Sequence, residues 1–156
     1  MTTIRVLEHQ RLDVAAELVE LQRLSYAVEA DLIGFDGIPP LHETTEQVTA
    51  LDLIVLGAYE GGVLAGIVGY ERVGDVVDID RLAVNPAFFR LGLGMALVTE
   101  VHEREADAGT FTVSTGALNA PAIRLYTRLG YSRLADRDLP EGLTIAMFSR
   151  TFDRAG

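Results

Sequence analysis

The stretch Val76–Leu97 reads VVDIDRLAVNPAFFRLGLGMAL, and it decides the fold. Residues 76–84 form a β-rich run that ends at Asn85-Pro86. A helical stretch begins near Gly92, with Leu93, Leu97 and Val101 facing inward and Glu100, Glu103 and Glu105 outside. A strand, a short glycine-containing turn and a helix N-terminus make an anion site. The first-turn N–H groups have no helical acceptor, and the helix dipole adds about half a positive charge there. Gly92 and Gly94 let the backbone approach a phosphate with no Cβ in the way, and Arg90 can reach the same anion. The two glycines equally suit close helix–sheet packing. A dinucleotide fingerprint needs a small residue where Leu97 stands, and no Gly-Lys-Ser/Thr follows, so the dinucleotide and P-loop readings both fail. What remains is a phosphate-bearing ligand of another kind.

Immediately upstream, LIVLGAYE (53–60) and VLAGIVGYERV (63–73) are β-rich runs separated by Gly61-Gly62, a hairpin signal. Gly74-Asp75 joins the second to the run 76–84, giving an antiparallel meander. Further upstream, TIRVLE (3–8) alternates like a strand, and Asp13 can cap a helix carrying Val14, Leu18, Leu21 and Ser25/Val28 on one face. Gly34, Gly37, Pro39 and Pro40 break residues 31–45 into a loop, with a short helix near 43–50. Downstream, TFTVST (110–115) is a strand. Asn119-Ala-Pro opens a helix with Leu118, Ala122, Leu125 and Leu129 on one face, and Gly130 stops it. Strands near 131–135 and 143–150 close the chain. The order β-α-(α)-β-β-β-α-β-α-β-β predicts an α/β (α+β) mixed sheet, mostly antiparallel, with helices on both faces.

The chain has 156 residues, 49% hydrophobic and 23% charged, close to the globular average. That length predicts one domain over 1–156. The formal charge of −10 argues against a nucleic-acid partner, which needs a basic face. There is no cysteine, which removes disulfides, thiolate metal sites and a thiol nucleophile together. The opening MTTIRVLEHQ has no signal-peptide core, and the longest apolar run, near 61–70, is half the roughly 20 residues a membrane helix needs. These features predict a cytoplasmic protein with no membrane partner. His9, His42 and His102 show no metal spacing, so no metal is expected; His102, among glutamates, is expected on a solvent face.

Two motifs carry a resemblance. Leu82-Ala83-Val84-Asn85-Pro86 followed by Arg90-Leu-Gly-Leu-Gly-Met-Ala-Leu97 resembles the acetyl-CoA motif of the GNAT superfamily of N-acetyltransferases, Gln/Arg-x-x-Gly-x-Gly/Ala, with Phe89 at the first motif position and the basic residue displaced to Arg90. Asn119-x-x-Ala122-x-x-Leu125-Tyr126-x-x-x-Gly130-Tyr131 resembles the family's second motif at every marked position. The resemblance spans about residues 53–150. It implies acetyl-CoA as co-substrate. It places amides around Leu91, Gly92, Leu93, Gly94 and Met95, with Phe89 and Arg90, on the pyrophosphate. Leu82, Ala83 and Val84 would lie along the pantetheine arm, with Asn119, Ala122 and Tyr126 beside it. It also implies an amine acceptor, on a small molecule or peptide, and leaves a homodimer through the apolar last strand open.

The chemistry asks for a proton donor to the departing thiolate. Tyr126 is neutral at pH 7 and can donate; a core tyrosine is the plainer reading. It also asks for a group that takes the amine proton. Asp78 and Asp80, two apart on one strand face, are the expected carboxylates, with Glu29, Tyr26 and His42 as further candidates. Direct transfer follows from the absence of Cys and of a Ser-centred nucleophile elbow. The alternative is a catalytically silent acyl-CoA sensor on the same fold.

Overall fold

The computed structural model describes residues 1–152; residues 153–156, the end of the expected domain, lie outside the described residues. The chain runs β1 (Thr2–Val6), α1 (Leu12–Ile33), α2 (Pro39–His42), α3 (Thr45–Thr49), β2 (Ile54–Glu60), β3 (Val63–Val73), β4 (Val76–Val84), a 3-10 turn (Pro86–Leu91), α4 (Leu93–Arg104), β5 (Thr110–Gly116), α5 (Ala120–Arg128), β6 (Ser132–Arg133), β7 (Arg137–Asp138) and β8 (Thr144–Thr151). One sheet in the order β1-β2-β3-β4-β5-β8-β6, with β7 also on β8, carries every strand. Among the described residues only β4–β5 is parallel. The expected mixed, mostly antiparallel sheet is what forms.

Local chemistry explains where the elements stop, and where the expectation at 31–45 fell short. α1 runs three residues into the expected loop and ends at Gly34, whose φ of 67° is the left-handed cap that glycine takes most easily. Pro39 and Pro40 then start α2, because a proline in the first turn lacks only an N–H that would be orphaned anyway. Thr44 and Gln47 form a capping box that starts α3. In α5, Asn119 Oδ1 accepts from the Ala122 N–H at 3.3 Å. Leu118, expected on that helix's apolar face, precedes the cap and is 68% exposed.

The sheet has a core on each face. α1 and α3 cover one face, through Leu18, Leu21, Tyr26 and Val48 against Val55, Ile67 and Ala83. α4 and α5 cover the other, through Leu93, Leu97, Val101 and Tyr126 against Val68, Val77, Phe111 and Phe148. β4 changes faces part-way along. Gly69 pairs with Arg81 but Tyr70 pairs with Ile79, so Asp80 is an extra residue with no opposite number on β3. Val77 and Ile79 therefore face α4, while Arg81 and Ala83 face α1. Gly69 makes room for this: a Cβ there would meet the Arg81 Cγ at 3.0 Å. No helix among the described residues is long and apolar enough to cross a membrane.

Candidate active site

The β4–β5 ladder pairs Val76–Ile79 with Thr110–Val113 and stops. Beyond it, β5 continues against β8 and β4 against β3, and a cleft of ≈ 540 Å³ opens where they part. α1 contributes Ser25 and Glu29 to its wall, β4 contributes Leu82 and Val84, and α5 contributes Ala122, Arg124 and Arg128. Asn85 N–H donates to the Ala65 carbonyl on β3 at 2.8 Å. Peptide groups alternate sides along a strand, so Ala83 also addresses β3, while Leu82 and Val84 address the cleft. Val84 N–H is taken by Ser25 Oγ at 3.1 Å. Leu82 N–H and C=O have no strand opposite them. Ala83, expected beside the same ligand, is 1% exposed in the α1-side core and off the cleft wall.

Gly92–Met95, the start of α4, closes one end of the cleft. Gly92 has φ 68°, and a Cβ there would touch nothing within 4 Å, so the backbone alone demands glycine. No side chain caps this helix. Ala96 is the first residue whose N–H finds a helical acceptor, the Gly92 carbonyl at 3.1 Å. The Leu93, Gly94 and Met95 N–H groups are therefore free of the helix ladder and carry the positive end of the dipole. Arg124 and Arg128 line the same cleft. Open amides and two guanidiniums fit a diphosphate. Phe89 is on the wall, but the 3-10 turn leaves Arg90 and Leu91 exposed and off it. The cations at the cleft thus come from α5, a helix the sequence motif marks, through Arg124 and Arg128, two positions that motif leaves unspecified.

Glu29, Thr115 and Asn119 meet on the α1 side of the cleft. Asn119 Nδ2 donates to Glu29 Oε1 at 2.8 Å and to Thr115 Oγ1 at 3.2 Å, and the Thr115 hydroxyl donates to the same Glu29 oxygen at 3.1 Å. With Oδ1 capping α5, both ends of the Asn119 amide are engaged within the protein. Tyr126 lies off the cleft wall, 3% exposed, against Tyr131 and Phe148 with ring centroids 5.6 and 5.7 Å away. Its hydroxyl bonds no described residue. Burial pushes its pKa well up, with Tyr131 and the Glu29 charge adding to the effect. Tyr26 on α1 is similarly buried, and its hydroxyl also bonds no described residue. Burial and then Glu29 raise its pKa while Arg81 opposes them, and Tyr126 and Asp80 add smaller upward pushes. The two phenols therefore share one electrostatic neighbourhood with Glu29.

The strand carboxylates lie elsewhere. Asp78 accepts from Thr112 Oγ1 at 2.6 Å, at the paired end of β4 and β5. Asp80 sits in the bulge, 42% exposed, with its carboxylate on Arg81 Nε at 2.7 Å. They share the α1-side face, and neither is on the cleft wall. Arg81 itself is 7% exposed. It also pairs with Glu43 and donates to Gln22 Oε1 at 3.0 Å. His42 is exposed, with Nε2 2.6 Å from the Asp36 carbonyl. His102 is not on a solvent face. It packs against Phe111, Tyr131 and Phe152, with Nε2 2.7 Å from the Tyr131 hydroxyl. Burial, and then the Arg150 charge, lower its pKa to about 4. No group of three or more His, Cys, Asp or Glu among the described residues could hold a metal ion.

A strand pair parted over an open helix start, with Asn119 and Tyr126 on the helix beside it, defines a class, and comparison with known proteins names it. The chain belongs to the GNAT acetyltransferase family, whose profile matches residues 15–131. The UPF0157 protein YqkA of Bacillus subtilis is 34% identical over 145 residues, 93% of this chain. This chain spans 42% of that relative's length. Among solved structures, the ribosomal-protein-S18-alanine N-acetyltransferase of Escherichia coli superposes with TM-score 0.78 at 20% identity, covering 100% of this chain and 97% of that one. The PaiA N-acetyltransferase of Thermoplasma acidophilum, in complex with coenzyme A, superposes with TM-score 0.76 at 15% identity, covering 97% and 99%. At these identities the two likenesses bear on the fold.

Proposed function

We propose that this chain is, as one domain, an acetyl-CoA-dependent N-acetyltransferase that passes the acetyl group directly to a primary amine of a small molecule or peptide. The observation that carries the reading is the parted β4–β5 pair, which leads from the Glu29–Asn119 pair to the open start of α4. Acetyl-CoA supplies a thioester, an acyl group already activated toward amines. Leu82 would hold the extended arm through its free peptide groups. Leu93–Met95 amides, with Arg124 and Arg128, would hold the diphosphate. Tyr126, kept protonated by burial, would donate to the departing sulfur. The solved relative holding coenzyme A supports the choice of ligand.

Thiol release from acetyl-CoA across a panel of an aliphatic diamine, an arylalkylamine and an amino-acid amide tests the reading. Turnover of at least one amine, with an acetylated product by mass, is the expected result. Tight acetyl-CoA binding by calorimetry with no turnover of any amine would replace it with the silent sensor.

A further inference from the structure

Four carboxylates lie on the α1 side of the sheet near the cleft or the bulge, and their surroundings separate them. Asp80 and Glu43 both pair with the guanidinium of Arg81, and Asp78 is held by Thr112 away from the cleft. Glu29 alone lines the cleft. It has no ion pair among the described residues. Two neutral donors, Asn119 Nδ2 and Thr115 Oγ1, converge on its Oε1 and fix its orientation. Its Oε2 bonds no described residue. The groups facing it are Tyr26 on its own helix, Thr115 on β5, and Asn119 and Tyr126 on and before α5; Asp80 and Arg81 on β4 lie beyond Tyr26. A carboxylate held rigid by neutral partners in a cleft, with one oxygen free, lacks a cation. An ammonium supplies one.

We propose that Glu29 is the acceptor-side catalytic residue: Oε2 binds the incoming ammonium and takes the proton that frees it to attack. The inference rests on the acetyltransferase reading and adds to it a residue and a substrate class, cationic primary amines. The ammonium gives one proton to Glu29, and Glu29 passes it to solvent. The neutral amine forms the C–N bond to the thioester carbon, and the C–S bond breaks. The sulfur leaves with the Tyr126 proton, and Tyr126 recovers a proton from the amide nitrogen. Three protons on the ammonium become one on the amide, one on the thiol and one released.

Glu29→Gln keeps an oxygen for Asn119 and Thr115 and removes the base. We expect kcat/KM for the best amine of the panel to fall 100-fold or more at pH 7. The loss should shrink toward pH 9.5, because an amine with pKa near 10 is then increasingly free without help. Coenzyme A affinity by calorimetry should stay within twofold, and Asp80→Asn should change kcat/KM less than threefold. A loss under threefold, an equal loss at every pH, or a parallel loss of coenzyme A binding overturns the assignment. A readout without turnover runs alongside: adding the diamine to the coenzyme-A-bound protein should shift the Asn119 side-chain amide resonance in the wild type and not in Glu29→Gln. If no amine on the panel is acetylated, the proposed activity fails on its own account. That resonance then decides Glu29: a shift keeps it as an ammonium site, and no shift removes it.

Discussion

Tyr126 is a buried ring whose hydroxyl bonds no described residue, yet its oxygen is not sealed in: among the described residues the buried side-chain polar atom left without a partner is His9 Nδ1. Replacing Tyr126 with Phe leaves no neighbour unsatisfied, so the stability cost should stay under about 1 kcal/mol. Turnover should fall roughly 100-fold, the low end of what general acid catalysis contributes, with coenzyme A affinity within twofold. Steady-state kinetics beside a denaturant titration checks both halves; unchanged turnover would return Tyr126 to the core. Residue by residue, the readable positions were those set by spacing within one element. Asn119 and Tyr126 are seven apart on or at the cap of one helix, and Gly92 is required by its own φ. Glu29 reaches Asn119 from 90 positions away, and no local pattern carries that distance. His102 misled for a similar reason: its neighbours in sequence are glutamates, but its neighbours in space are rings on β5, at Tyr131 and at Phe152.

At the scale of elements, Arg81 ties α1 and the segment before α3 to β4. Its guanidinium meets Gln22 of α1, Glu43 and Asp80. Arg81→Met keeps the aliphatic stem against Gly69 and removes the charge. It leaves Glu43 and Asp80 without their cation, at a cost of about 3 kcal/mol. Urea unfolding measures it; a loss below 1 kcal/mol would mean that both carboxylates simply return to water. The elements themselves were largely legible, because hydrophobic period and turn residues are local. The bulge at Asp80 was not. Strict alternation places Val77, Ile79, Arg81 and Ala83 on one face, whereas the extra residue sends the last two to the other. It is this switch that turns a buried arginine toward α1.

For the whole molecule, acid is the condition to watch. The His102 pKa, about 4 in the fold, lies below the roughly 6.5 of an unfolded chain. The unfolded state binds the proton first, so this contribution is complete above pH ~6.5 and is lost as pH falls through about 4. At most about 3 kcal/mol is at stake, and His102→Phe should flatten that limb of the stability–pH curve, as read from thermal melts between pH 7 and 4. The charge of −10 acts at the same scale. It would draw a cationic amine toward the surface and keep polyanions off, while the proposed diphosphate end of the cleft depends on two arginines and a helix start. The sheet, finally, is mechanically incomplete. Its two halves are laced together along four residue pairs, Val76–Ile79 with Thr110–Val113, and beyond them the seam is unstitched. A ligand whose extended arm bonds the Leu82 peptide groups from one side would serve as a removable thread in that seam. Occupancy would then stiffen the boundary between the halves, and hydrogen exchange at Leu82 would slow before that of any strand interior.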